Sequence, residues 1–351
     1  WDLLAEVQAY GDSETMVGGA GSAAYWEETV EAKVASCVER QLVSDVPLGA
    51  FLSGGVDSSL VVSAMGRART FSIGFDDPSY NELAWSQRVA DALGTDHRTE
   101  VIRPNAVELF GHLMEYLDDP IGDFSIFPTF LVSRLAREDV KVALSGDGGD
   151  EVFGGYETYV AQEKARLWER IPEFLRARIL EPSLRRLPPR PEKKGLVNKA
   201  RRFAEGMEHD PSLGHARWRL FLSQDLSRRL FRDLPRNGPG DPRLEHILEL
   251  GQEASALDPV DRSLYIDLFS YLADNCLVKT DRMSMACSLE VRVPLLDPEL
   301  VVMAFAMPSS LKVRGGETKP LLKRVAARRV PRDCVYRPKE GFSIPIKHWL
   351  W

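Results

Sequence analysis

The chain has 351 residues, room for about two domains of ordinary size, and its 44% hydrophobic and 28% charged residues exclude a disordered, collagen-like or low-complexity protein. With 45 basic against 52 acidic side chains the formal charge is −7, so no global field gathers nucleic acid or an anionic membrane, and a polyanionic ligand must be held by local groups. Cys37, Cys276, Cys287 and Cys334 have neither a disulfide framework's spacing nor CxxC metal spacing, and they read as small buried residues of a reducing compartment. No uncharged apolar run approaches the roughly 20 residues that span a bilayer, and residues 1–12 carry three acids and no basic n-region. A cytoplasmic protein with no membrane and no nucleic-acid partner is expected.

In chain order, residues 1–24 are Gly/Ala/Ser-rich around MVGGAGSAA and are expected to be a leading segment with little structure. From Tyr25 to Leu42 the pattern turns helical, with Val30, Val34 and Val38 at i, i+4 and i+8 facing a core. Between Val46 and Leu144 short apolar runs alternate with helical stretches: VPLGAFL, a helix from Ser58, RTFSIGF, a helix from Asn81 to Leu93, HRTEVI, helices through Phe127 to Arg137, and VKVAL. Four strands alternating with helices predict a doubly wound parallel α/β sheet over a unit at 25–156. After about Gly155 the strand signals fade, so 157–351 reads as a mainly helical part. Within it the Pro-, Arg- and Gly-rich stretches 171–194 and 232–243 are expected to be surface connections, and 262–276 an amphipathic helix with Leu264, Leu268, Tyr271 and Leu272 on one stripe. The start at Trp1 and the stop at Trp351 after KHWLW have the look of a fragment.

The strongest signal is VPLGAFLSGGVDSSL, residues 46–60, where an apolar strand runs into Ser53, Gly54, Gly55, Asp57, Ser58 and Ser59 just as a helix begins. Glycines let a backbone approach a phosphate closely, hydroxyls and N–H groups at the helix start donate to it, and the helix dipole favours its charge. The lysine of the Walker loop is absent, and the pattern is not GxGxxG. A plain Gly-rich turn would need neither two serines nor an acid in this register.

SGGVDSS resembles the signature of the PP-loop ATP pyrophosphatases, which cleave ATP between the α- and β-phosphates. The resemblance to the synthetase domain of glutamine-hydrolysing asparagine synthetase and its amidotransferase relatives runs through FLSGGVDSS, FSIGF, ALSGDGGDEVFGGY, DRMSMACSLEVRVPLLD and YRPKEGFSIP, in order from residue 51 to 345. It implies an adenine nucleotide α-hydrolase-like fold, ATP as substrate, Mg²⁺ as cofactor and an acyl-adenylate intermediate.

On that reading backbone groups near Leu52, Ile73 and Gly146 hold the nucleotide, and FSIGF, with Gly74, runs beside the adenine. Ser145 and Gly146 open a second loop, SGDGGD, at a strand's carboxyl end. If the phosphate-loop strand is central and the order reverses beside it, the two loops face each other across a crevice, and Asp57 and Asp150 are the natural pair for Mg²⁺. Asp147 stands where asparagine synthetases usually carry Glu, and reads either as the base that meets ammonia or as a hydrogen-bond acceptor behind the reacting atoms. Lys339, between Pro338 and Gly341 in an expected closing loop, matches the family lysine that contacts the phosphates, and Arg282 stands where relatives often have Lys. Asp281, Glu290, Arg292 and Asp297 are expected to form a buried polar network. The six histidines show no metal spacing and receive no role.

Full-length relatives begin with a glutaminase domain whose first residue is cysteine, and the first cysteine here is Cys37 inside a predicted helix. Nitrogen is therefore expected as free ammonia or from a glutaminase domain or subunit, and a homodimer is compatible with the sequence. The leading expectation is an ATP-dependent amidoligase that adenylates the side chain of aspartate and amidates it. A relative forming a macrolactam, a β-lactam or an amidated saccharide, and a non-catalytic nucleotide-binding module, are the alternatives.

Overall fold

The computed structural model describes residues 1–15, 22–77, 81–102, 106–119, 121–186, 195–207, 211–220, 229–230 and 244–338. Strands β1 (Leu48–Phe51), β2 (Arg69–Phe75), β3 (Asp96–Ile102), β4 (Val142–Leu144) and β5 (Glu290–Arg292) form one sheet in the order β3-β2-β1-β4-β5, and every neighbouring pair is parallel. Register places Ala50 of β1 opposite Thr70 of β2 on one side and Leu144 of β4 on the other. Four of these strands are the apolar runs of the sequence. The fifth was not expected: β5 is three residues long with a charge at each end, too short and too polar for the periodicity that marks a strand.

Helices cover both faces of the sheet. The first, α1 (Leu3–Thr15), lies where little structure was expected. It packs on the helix Pro298–Ala306, and its Leu3 is buried, worth roughly 1.5–3 kcal/mol for one such side chain. Next, α2 (Ala23–Gln41) starts at Ser22, whose hydroxyl accepts from the Tyr25 N–H, and buries Val30, Val34 and Val38 as their spacing predicts. Three helices follow the first three strands: α3 (Val56–Ala64) leaves β1, α4 (Leu83–Leu93) joins β2 to β3 and stops at the left-handed Gly94, and α5 (Ala106–Met114) follows β3. The almost wholly buried α6 (Ile126–Arg137) leads into β4. Beyond β4 come the one-turn helix α7 (Gly149–Phe153) and α8 (Glu157–Glu169).

Residues 173–186, expected as a surface connection, form successive helical turns. Their Leu, Arg, Ala and Glu residues are strong helix formers, and Pro182 is tolerated because it falls in the first turn of Glu181–Arg186. The rest of that stretch, 187–194, and all of 232–243 lie outside the described residues. The predicted amphipathic helix is present as Pro259–Asp267, capped by the Asp258 side chain, and continues through Leu268–Leu277 as π-helix with Leu264 and Leu272 buried. One apolar cluster joins α2, β1, α3 and the helices at 298–306 and 320–326, so the carboxy-terminal helices share a core with the sheet.

Candidate active site

Because the strand order reverses at β1, the loops that follow β1 and β4 diverge and leave a crevice at the carboxyl ends of the sheet. A cavity of about 1270 Å³ opens there, and both loops line it. In the first loop, Gly54 adopts φ 71°, and a Cβ on it would come within 2.6 Å of the Trp85 carbonyl carbon, so this turn takes only glycine. The Ser53 N–H donates to Ser58 Oγ at 3.2 Å, the two serine hydroxyls lie 3.0 Å apart, and the Gly55 N–H donates to Ser53 Oγ at 3.3 Å. These bonds hold the first turn of α3 open to the cavity, and its N–H groups and dipole suit an anion. Gly146 of the second loop lies against that turn, where a Cβ would be 2.6 Å from the Ser58 nitrogen.

At the centre, Asp57 from α3 and Asp150 from α7 converge on one ammonium. Lys319 Nζ is 2.6 Å from both Asp57 carboxylate oxygens and 2.5 Å from Asp150 Oδ1, and its side chain is 4% exposed. Burial works against the lysine's charge, but Asp150 and Asp57 outweigh it and hold the ammonium above the ordinary lysine range. Lys319 pays a backbone strain of roughly 1–2 kcal/mol for its left-handed conformation, φ 53°, immediately before Pro320. Gly155 makes the room, since a Cβ there would be 2.3 Å from Lys319 Cε and 1.8 Å from Asp150 Oδ1. The donor set fits Mg²⁺, which takes one or two carboxylates from a protein and its other oxygens from phosphate and water. Among the described residues no group of three or more His, Cys, Asp or Glu converges in the way a softer metal requires.

Asp147 also faces the cavity, and its Oδ2 accepts from Ser145 Oγ at 2.9 Å and from Thr280 Oγ1 at 3.1 Å. On the helix Val278–Met285, Lys279, Thr280, Met283 and Ser284 form the buried face. Arg282 falls on the other side: it is exposed, pairs with Asp118 and does not line the cavity. The cation that this segment presents to the cavity is therefore Lys279, whose Nζ is 3.9 Å from Asp123.

Behind these groups stands a wall of buried polar side chains. Glu151, 2% exposed, accepts from the Tyr156 hydroxyl, and burial followed by the neighbouring Asp150 pushes its carboxyl up to about 7. Asp267 accepts from the Tyr159 hydroxyl and lies 2.7 Å from His215 Nε2 and 3.0 Å from Arg219. Burial alone would raise the Asp267 carboxyl, but His215 and Arg219 hold it below the usual range. The Arg219 guanidinium sits over the Tyr271 ring at 3.8 Å and the Tyr156 ring at 4.5 Å.

Of the residues singled out in the sequence, Leu52, Ser53, Gly55, Asp57, Ser58, Ile73, Ser145, Gly146, Asp147 and Asp150 line this one cavity. Gly54, Ser59 and Gly74 do not: Gly54 forms the turn, Ser59 is wholly buried in α3, and Gly74 makes room for Asn81 and Leu83. Lys339 lies outside the described residues. Its motif is visible through Arg337, which donates to Glu82 at 2.6 Å and to the Ser53 carbonyl at 3.4 Å, tying the carboxy-terminal segment to the phosphate loop. Asp281 and Glu290 are exposed rather than buried. Arg292 reaches Glu290 and the Gln41 and Val43 carbonyls, while Asp297 caps the helix at 298 and pairs with Arg40, so these two organise structure as expected. Sequence reasoning missed Lys319, Lys279 and Glu151. Lys319 alone carried a local signal, a lysine wedged between Thr318 and Pro320 at a helix start.

Fold and site together define an α/β domain whose cavity opens at the carboxyl ends of a parallel sheet, between a Ser/Gly loop and an acidic one. The chain belongs to the asparagine synthase family, whose model matches residues 29–351. It is 35% identical over 328 residues to a Mycobacterium tuberculosis protein provisionally named asparagine synthetase [glutamine-hydrolyzing], covering 92% of this chain and 49% of that protein. It is 33% identical over 324 residues to asparagine synthetase [glutamine-hydrolyzing] 1 of Bacillus subtilis, covering 88% of this chain and 48% of that protein. A more distant relative, at 23% identity over 366 residues with 92% of this chain and 53% of that protein covered, is named Amidase chry2, of Gibberella zeae. The chain thus spans about half the length of these relatives. None of its described helices is long and apolar enough to cross a membrane.

Proposed function

We propose that this chain is the ATP-dependent amide-forming part of an asparagine synthetase-like enzyme of the PP-loop class, acting in the cytoplasm. The observation that carries the reading is the meeting of Asp57, Asp150 and Lys319 beside the Ser53–Ser58 loop in one cavity. Leu52, Ile73 and Gly146 border the nucleotide, and Ser53, Gly55 and Ser58 take the phosphates. Asp57 and Asp150 would hold Mg²⁺, which supplies charge neutralisation at the pyrophosphate when bound. An oxygen of the acceptor carboxylate attacks the α-phosphorus, the bond to the β-phosphate oxygen breaks, and pyrophosphate leaves. Ammonia nitrogen then attacks the acyl carbon, AMP leaves with the bonding pair, and a proton passes to a base.

Lys279 is the group we assign to the acceptor's carboxylate, because it lines the cavity next to Thr280, which donates to Asp147. Asp147 either takes the ammonia proton or fixes the hydroxyls of Ser145 and Thr280 around it. Lys339 is assigned to the phosphates from its motif alone, and Arg282 is left without a role in the chemistry. Aspartate is the leading acceptor, with ammonia free or delivered by a glutaminase domain or subunit, as the relatives' names imply for them. A bulkier acid is the second reading, favoured by a cavity whose lining also includes Lys199, Phe203 and Trp218.

An assay with ATP, Mg²⁺, ammonium and a panel of acids tests both readings. Aspartate-stimulated release of AMP and pyrophosphate supports the first, and stimulation by a larger acid alone supports the second. Release of ADP and orthophosphate contradicts both.

A further inference from the structure

Lys319 stands where the divalent cation of the proposed reaction would be held. Its nitrogen contacts both oxygens of Asp57 and one of Asp150, so the ammonium bridges two carboxylates from separate loops. Two acids this close repel one another unless a cation lies between them, and the Lys319 ammonium occupies that position. The arrangement is built rather than incidental. Lys319 is buried and held in a left-handed backbone conformation, its N–H donates to the Lys312 carbonyl at 2.8 Å, and glycine at 155 leaves the space its side chain fills. Asp57 is fitted in the same way by Gly149, where a Cβ would lie 2.6 Å from Asp57 Oδ1.

Resting on the reading of this cavity as a metal–nucleotide site, we propose that Lys319 is a positioning residue that acts as an internal placeholder for the divalent cation. It keeps Asp57 and Asp150 together while the cavity lacks nucleotide, and its charge opposes entry of a free divalent ion. Phosphate oxygens offer the ammonium another anionic partner, so the two acids become available to the metal when nucleotide arrives. Metal and nucleotide are then taken up as one unit, and each raises the affinity for the other by the same factor.

The test is Mn²⁺ titration of the nucleotide-free protein, read from the electron paramagnetic resonance signal of free Mn²⁺. The wild type is expected to show no site tighter than about 1 mM, whereas Lys319→Met gains one site bound at least about tenfold more tightly, lost again when Asp150→Asn is added. A folded Lys319→Met protein that gains no affinity overturns the proposal. So does a wild-type protein that, without nucleotide, already binds one Mn²⁺ tighter than about 0.1 mM at a site removed by Asp150→Asn, a result that needs no change at residue 319. Failure of the nucleotide reading has a separate signature, the absence of ATP binding to the wild type in calorimetry at saturating Mg²⁺.

Discussion

Two buried lysines seven positions apart, Lys312 and Lys319, meet their acids in opposite ways. Lys312 Nζ lies 2.7 Å from the carboxylate of Asp261 and donates to the Ala304 carbonyl at 2.6 Å, a balanced pair closed inside the core. Lys319 bridges two carboxylates from separate loops at the edge of a cavity of about 1270 Å³. The wall around Asp267 follows the first pattern, one acid answered by Arg219, His215 and Tyr159. A buried charge that is fully answered maintains the fold. One that bridges two loops beside an opening is placed to meet a ligand.

The acids beside the cavity are the most sensitive positions. Asp57→Asn or Asp150→Asn should lower pyrophosphate release at least about a thousandfold in steady-state assays, because both are assigned to the charge that the phosphates need. Next comes the closed side. Lys312→Met leaves Asp261 buried without its cation and should cost about 3–5 kcal/mol in urea unfolding, a larger loss than Lys319→Met, whose acids border the open cavity. Equal losses would erase the distinction.

Replacing Lys279 with Ala should raise the acceptor's KM at least about tenfold with a smaller change in kcat, while Arg282→Ala, on the exposed face, should change either by less than about twofold. Identical effects of the two would contradict the assignment of the acceptor's carboxylate to Lys279. Because the Glu151 carboxyl is raised from 4.5 to about 7, the folded state binds its proton more tightly than the unfolded chain. Its stabilising contribution is full below about pH 4.5 and is lost as pH rises through 7. Glu151→Gln should therefore gain about 2 kcal/mol on the wild type between pH 5 and pH 8 in chemical denaturation. A constant difference across that range would show that Glu151 titrates normally.

What the sequence revealed and what it hid follow from the range of each interaction. The strand, Gly-rich turn and helix around Ser53–Ser59 are local, so residue types and spacing were enough to find them, and β1 to β4 followed from short runs flanked by helical stretches. The convergence of Asp57 with Asp150 was legible only once β1 was taken as central, which the observed strand order supports. Lys319 is 262 positions from Asp57, and nothing local in its neighbourhood points to the acids it meets. The choice between Lys279 and Arg282 turned on which face of one helical turn packs inward, a matter settled by Met283 and Ser284 rather than by the motif. Residues 1–24 looked structureless because a Gly-rich stretch masked Leu3, Leu4 and Val7, which are enough to dock α1.

The role proposed for the Asp57–Asp150–Lys319 centre is cleavage between the α- and β-phosphates of ATP. Its most direct measurement is the identity of the products released with Mg²⁺, ammonium and an acceptor acid, for the wild type and for Asp150→Asn. AMP and pyrophosphate are expected in equal amounts from the wild type, and neither above background from the variant. ADP with orthophosphate, or undiminished AMP from Asp150→Asn, would contradict it.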